Sequence, residues 1–196
     1  MEKSFWDSRW QQQLTGWDLG EVSPPLKSYI DKLENKALKI LIPGCGNAYE
    51  AEYLWQKGFH NTYIVEISEL AVKSFLKRYP VFPENQIFIQ DFFELKGHYD
   101  LIIEQTFFCA INPQMRKAYV EKMHELLKPG GKLAGLLFNR DFEGGPPFGG
   151  SKEEYEKLFS TKFEISTLIN AVNSVKPREN SELFFEFTKK QLIQAD

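Results

Sequence analysis

The sequence predicts an α/β fold around a mostly parallel sheet, on three observations. From residue 38 onward, short β-rich apolar runs alternate with segments of helical periodicity, the pattern of strands joined by helical crossovers. The first run, Leu38 to Ile42, ends on Pro43-Gly44-Cys45-Gly46, a tight turn whose glycines let a ligand approach the backbone. An acid, Glu66, closes the second run 20 residues past Gly46, near the spacing at which a Rossmann-like unit holds two ribose hydroxyls on one carboxylate.

Each element follows from local signals. Ser23 reads as an N-cap with Pro24 and Pro25 in the first turn, and Leu26, Tyr29, Ile30 and Leu33 share one helical face. After the first strand and its glycine turn, Ala48 to Lys57 reads as helix, stopped by Gly58. Tyr63 to Ile67 is a second strand. Ser68 caps a helix carrying Ala71, Val72, Phe75, Leu76 and Tyr79, which Pro80 ends. Ile87 to Ile89 and Tyr99 to Glu104 are the third and fourth strands. Asn112-Pro113 opens a long helix with Met115, Ala118, Met123, Leu126 and Leu127 apolar, and Pro129-Gly130-Gly131 turns the chain. The fifth strand, Lys132 to Phe138, runs into a loop from Asn139 to Gly150. Ser151 with Glu154 forms a capping box for the next helix, and Phe163 to Val172 and Leu183 to Thr188 close the chain as a hairpin.

Composition narrows the function. A chain of 196 residues, 42% hydrophobic and 26% charged, has the size of one domain, so 1–196 is read as a single unit. Lys and Arg total 24 against 27 Asp and Glu, a net charge of -3 that lacks the basic excess for nucleic acid. No apolar run approaches ~18 residues, and the N-terminus mixes charge with aromatics, so the expectation is a cytoplasmic protein without membrane association. Two cysteines, Cys45 and Cys109, are too few for a disulfide framework or zinc cluster. His60, His98 and His124 are isolated and read as surface or loop residues.

The ligand is narrowed by what the turn lacks. A dinucleotide fingerprint would place a third glycine at position 49, where this chain has Tyr49, which favours a smaller adenosine ligand over NAD or FAD. Asp91, ending the third strand, offers a carboxylate to an adenine amino group while Phe92 covers the ring; the competing reading is a turn-forming aspartate. Trp6 and Trp10 share a helical face, with Trp17 beyond a break at Thr15-Gly16. Indole faces attract a cation by about 0.5 to 2 kcal/mol each, so a sulfonium such as that of S-adenosyl-L-methionine suits them, against the alternative that they only pack on the domain.

Phe5-Trp6-Asp7 through Gly20, Ile42-Pro43-Gly44-Cys45-Gly46, Val65-Glu66-Ile67-Ser68, Phe107 to Ile111 and Gly144-Gly145-Pro146-Pro147-Phe148 together resemble the thiopurine S-methyltransferase family over nearly the whole chain. Through Phe107 to Ile111, Met115-Arg116, Glu125 to Pro129 and the Gly-Gly-Pro-Pro loop, the sequence is most similar to that family's plant halide and thiol methyltransferases. The resemblance implies a Rossmann-like class I methyltransferase sheet of seven strands with a C-terminal hairpin, helices on both faces, and residues 1–22 closing over the cofactor. It implies cofactor contacts at Trp6, Trp10, Trp17, Gly44, Gly46, Glu66, Asp91 and Phe92, with Gln105 approaching the methionine part. The mammalian thiopurine enzymes carry arginine at that place and the plant halide enzymes tyrosine, so the glutamine leaves acceptor preference open. Trp17 stands where the thiopurine enzymes have phenylalanine.

The expected reaction moves a methyl group from S-adenosyl-L-methionine to a small soft nucleophile, a thiol, hydrosulfide, halide or thiopurine, leaving S-adenosyl-L-homocysteine. Such an in-line displacement needs orientation and exclusion of water, and no residue is assigned as catalytic. Phe107, Phe108, Trp17 and Phe148 are expected to line an apolar acceptor pocket, Asn139 and Arg140 to attract an anion, and the loop from Glu143 to Gly150 to act as a lid over a small-molecule acceptor. Cys109 is read as core. No obligate protein partner is expected. The alternatives are a scaffold that binds the cofactor without turnover and, further off, an NAD-dependent oxidoreductase.

Overall fold

The computed structural model describes residues 2–190; Met1 and residues 191–196, the ends of the expected 1–196 unit, lie outside the described residues. One sheet holds β1 (Ile40–Pro43), β2 (Thr62–Glu66), β3 (Ile87–Ile89), β4 (Tyr99–Gln105), β5 (Leu127–Phe138), β6 (Phe163–Asn170) and β7 (Glu182–Lys189) in the order β3-β2-β1-β4-β5-β7-β6. β1 pairs in parallel with β2 and β4, β2 with β3, and β4 with β5. β7 inserts antiparallel between β5 and β6, which is the expected C-terminal hairpin. Strand order therefore reverses between β1 and β4, and a crevice opens outside their carboxyl ends, where open α/β sheets bind ligands.

The helices are α1 (Lys3–Gln11), α2 (Pro24–Ile30), α3 (Tyr49–Gln56), α4 (Glu69–Arg78), α5 (Arg116–Leu126) and α6 (Lys152–Phe159). Strand side chains alternate between the two faces. Leu41, Ile102, Leu133 and Phe185 join one core with Tyr119 and Met123 of α5 and Phe159 of α6. Ile40, Ile42, Leu101, Ile103 and Ala134 join the other with Leu26, Ala51, Leu54 and Phe75 of α2, α3 and α4. α1 belongs to neither, since none of its residues is buried.

Several boundaries differ from the sequence expectation for local reasons. α2 stops at Ile30, so Leu33 packs on its core from a following turn. Asn112 Oδ1 accepts from Gln114 N (3.0 Å), which makes Pro113–Met115 a separate 3-10 turn and starts α5 at Arg116. β5 begins at Leu127 because Tyr99 already pairs with it, ahead of the glycines expected to form a turn. Ser151 Oγ accepts from Glu154 N (3.3 Å) as a capping box requires, but the reciprocal half is missing. The Glu154 carboxylate is taken by Arg116 Nη1 at 2.6 Å, while Arg116 Nη2 donates to Gly149 O (2.6 Å). That pair ties α5 to α6 and to the loop before it. Among the described residues no helix is long and apolar enough to cross a membrane.

Phe159, fully buried, meets the rings of Tyr119, Phe163, Phe185 and Phe187, the last at 4.9 Å between centroids. Phe159→Ala is expected to lower the free energy of unfolding in urea by about 3–5 kcal/mol. A loss under about 1 kcal/mol would show that this aromatic contact is not what fastens α6 to the sheet.

Candidate active site

The crevice encloses a cavity of about 880 Å³, floored by the ends of β1, β2 and β4 and roofed by α1 and the chain that follows it. Gly44 and Gly46 form the floor with φ of 55° and 51°, a region that side-chain-bearing residues rarely adopt. A methyl at Gly44 would overlap the Phe107 ring, and one at Gly46 would lie 3.5 Å from the Trp10 indole. The sequence pattern anticipates a ligand close to these glycines; in the structure the space beside each is approached by an aromatic ring of this chain.

Glu66 pins this floor. One carboxylate oxygen accepts from Gly46 N (2.9 Å), and the other from Ile67 N (2.9 Å) and Ser68 N (3.0 Å). Burial raises its pKa, and those three N–H groups oppose the shift. The carboxylate lies on the cavity wall with lone pairs still free for hydroxyl donors. Asp91 also lines the cavity, and its Oδ1 accepts from Phe93 N (2.9 Å), so the turn-forming role weighed for it is present. Phe92 is buried, edge-on to Phe107 with centroids 5.1 Å apart.

Trp6, Trp10 and Trp17 all border the cavity. Trp17 receives Trp6 at 5.5 Å and Trp10 at 6.2 Å between centroids, both near perpendicular. This segment is fastened by polar contacts: Ser68 Oγ donates to Asp7 Oδ1 (2.6 Å), Lys3 pairs with Glu69 (3.4 Å), and Asn47 donates to Asp18. Arg178 Nη2 donates to Trp17 O at 2.7 Å. The roof is thus held by part-buried hydrogen bonds and one exposed ion pair, and none of α1 is buried in the core.

At the end of β4, Glu104 is fully buried, and its Oε2 accepts from Phe107 N (3.0 Å) and Phe108 N (2.9 Å). Burial drives its pKa up to about 8, against those two N–H groups. Between Glu104 and those donors, Thr106 sits at φ 60°, a left-handed conformation that is strained for a β-branched residue. The result aims Gln105 and Phe107 at the cavity; Gln105 Nε2 is buried without a hydrogen-bond partner.

Three of the expected acceptor-pocket residues do not reach the cavity. Phe108 turns the opposite way from its neighbour and is buried against Tyr119, Tyr155 and Phe159. Asn139 is exposed, and its Oδ1 is spent accepting from Lys152 N (3.1 Å) at the start of α6. Phe148 folds back over Gly145 while its N–H donates to Cys109 O (2.7 Å). Arg140 does border the cavity, its guanidinium 4.7 Å from the Phe142 ring centroid. The wall expected from Phe108 and Phe148 is made instead by Phe142, Pro146 and Pro147. The Gly-Gly-Pro-Pro stretch thus supplies prolines, where phenylalanine was anticipated.

Of the charged groups on the wall that sequence reasoning missed, two are buried. Arg178, buried before β7, pairs with Glu182 (3.3 Å). Glu50, in the first turn of α3, is 6% exposed, and its Oε1 accepts from Ser23 N (3.1 Å). Cys109, read as core, is buried but borders the cavity, its Sγ donating to Thr106 O (3.1 Å). None of the three histidines borders the cavity; His124, expected at the surface, is buried on α5 beside Phe163. Among the described residues no group of acids, histidines and cysteines could hold a metal ion.

The family model for Thiopurine S-methyltransferase matches residues 1–194. A probable thiol methyltransferase 2 of Arabidopsis thaliana is 34% identical, over 97% of this chain and 87% of that protein. Thiocyanate methyltransferase 1 of Brassica oleracea is 30% identical over 93% of this chain and 83% of its own. Among solved structures, the 1,6-didemethyltoxoflavin-N1-methyltransferase of Burkholderia thailandensis, bound to its substrate and S-adenosylhomocysteine, superposes with a TM-score of 0.75. That match covers 96% of this chain and 87% of the other at 15% identity, a likeness of fold.

The Glu104 carboxyl binds its proton more tightly in the folded chain than in the unfolded one. Its contribution to stability is therefore full below pH about 4.5 and declines as pH rises through about 8. Chemical unfolding between pH 4 and 9 is expected to show that decline, and Glu104→Gln, which keeps an oxygen acceptor and cannot ionise, is expected to flatten it. Parallel curves for the two proteins would remove Glu104 as the origin.

Proposed function

Because the chain belongs to the thiopurine S-methyltransferase family, and so is an S-adenosylmethionine-dependent methyltransferase, we propose that it methylates a small soft nucleophile, a thiol, hydrosulfide, halide or thiopurine. The observation that carries this reading is the cavity: an adenosyl-type floor of Gly44, Gly46 and Glu66 faces an apolar wall that also carries Arg140 and Arg178. The comparisons do not favour the nicotinamide and non-catalytic alternatives.

The residues present fit the cofactor. The glycine turn and Glu66 border the cavity, the buried Gln105 Nε2 is a donor without a partner, and three indoles border the same space. In this reading Glu66 holds the ribose hydroxyls, Asp91 and Phe92 the adenine, Gln105 the methionine part, and Trp6, Trp10 and Trp17 close the roof formed by residues 1–22. S-adenosylmethionine, when bound, supplies a methyl group on a positively charged sulfur. The protein's part is to hold donor and acceptor in line and keep water out. Phe107, Phe142, Pro146 and Pro147 give the acceptor an apolar, polarisable seat, and Arg140 and Arg178 draw in an anion. A halide has no proton to lose, and a thiol with pKa about 8.5 is partly ionised near neutral pH, which supports a site without a histidine base. A cytoplasmic setting belongs to this proposal, supported by Cys45 and Cys109 both being free thiols.

The direct test offers hydrosulfide, iodide, an aryl thiol and a thiopurine separately with S-adenosylmethionine, quantifying methylated product and S-adenosylhomocysteine. One acceptor is expected to give both in equal amounts. Cofactor binding without product from any of the four would sink the substrate class. A binding measurement tests the roof: Trp10→Ala is expected to weaken S-adenosylmethionine by about 0.5–2 kcal/mol and the neutral thioether S-adenosylhomocysteine by less. Equal losses would make Trp10 a packing residue.

A further inference from the structure

We infer that Glu50 is an anchor for the cationic α-ammonium group of the cofactor's aminoacyl end, an assignment that rests on the S-adenosylmethionine reading above. Four acids at this edge of the sheet are buried, and they differ in what surrounds them; Glu182 has a counter-ion of its own in Arg178 at 3.3 Å. Glu66 has three backbone N–H donors on its two oxygens. Glu104 is wholly buried behind the loop that follows β4, with two N–H donors on one oxygen, and does not border the cavity. Glu50 does border it, and the one donor it takes from another residue is Ser23 N at 3.1 Å.

Its surroundings lack a dedicated cation. Among the described residues no lysine or arginine forms an ion pair with Glu50; Ser23 N, its own backbone N–H and, more weakly, the field of Arg178 favour its charged form. That guanidinium is committed elsewhere, to Glu182 at 3.3 Å and to Trp17 O at 2.7 Å. Asp18, on the roof segment, works against the charge. Burial pushes the Glu50 carboxyl up from its ordinary value, as expected where desolvation outweighs the available donors. A buried carboxylate held at a cavity wall without a counter-ion is costly unless a cation completes it.

The ligand chemistry matches that deficit. An aminoacyl end carries an ammonium and a carboxylate on one carbon, needing one anionic acceptor and one donor. Glu50 on the cavity wall supplies the first, and Gln105, which also borders the cavity and whose buried Nε2 has no partner, is placed to turn that amide toward the second. Asp18 is a poorer candidate for the ammonium, since its two oxygens already accept from Asn47 and from Gly20 N (2.9 Å).

The test is calorimetric and needs no turnover. S-adenosylhomocysteine and 5′-methylthioadenosine share the adenosine and the sulfur, and only the first has the aminoacyl group. Glu50→Gln, which can still accept from Ser23 N, is expected to weaken S-adenosylhomocysteine roughly ten- to a hundredfold and to leave 5′-methylthioadenosine within about twofold. Equal loss for both ligands, or loss for neither, overturns the assignment. Should the variant unfold, wild-type protein carries the test alone: an S-adenosylhomocysteine analogue with hydrogen in place of the amino group is expected to bind weaker by a similar factor, and equal affinity overturns the assignment. If the wild type binds neither nucleoside, the cofactor reading itself fails, an outcome distinct from a failure at Glu50.

Discussion

The active-site edge depends on one carboxylate that crosses from strand to strand. Glu66 ends β2, yet it accepts from Gly46 N in the turn after β1 as well as from Ile67 N and Ser68 N at its own strand end. Two adjacent parallel strands are thereby stopped in register, and the glycine turn is held in a left-handed conformation it would otherwise share with many others. The roof depends on the same point. Ser68, whose N–H Glu66 accepts, donates its hydroxyl to Asp7 of α1 and accepts from Ala71 N at the start of α4. Floor, following helix and cover meet within three residues of one acid.

The distribution of charge around the cavity follows from that edge. Buried carboxylates gather where strands end and helices begin, because backbone N–H groups there are free to satisfy them. Glu50 and Glu66 make the cofactor side of the cavity anionic, which suits a ligand carrying a permanent positive charge. Arg140 and Arg178 border the same cavity with Phe142 and the two prolines, an environment for a desolvated anion. Arg178 lies near enough to Glu50 to favour its charged form, so acids and guanidinium groups share one enclosed space, where the low dielectric strengthens their fields.

What the sequence made legible was local in origin. Strands were visible as apolar runs, the floor as Gly-x-Gly, and Glu66 by its spacing, because each is set by a few neighbouring residues. What it hid was direction. Phe107 and Phe108 are adjacent and chemically alike, and only the tight turn after Thr106 sends one to the cavity and the other to the core. Asn139 looked like an anion-attracting loop residue, and is used to cap a helix that begins at Lys152. Glu50 and Arg178 have the opposite history: in sequence each is an ordinary solvated charge, and burial by chain far from it converts it into part of the wall.

The two cysteines show how such a site avoids reacting with itself. Cys45 and Cys109 both border the cavity, and a thiolate is the kind of nucleophile that attacks a sulfonium methyl. Burial pushes both thiols well above their ordinary values, with Glu66 adding to the shift at Cys45 and Glu104 at Cys109. Both therefore stay protonated near neutral pH. Acids on and behind the cavity wall thus help keep the protein's own sulfurs protonated, and at Cys109 this outweighs the opposing field of Arg178.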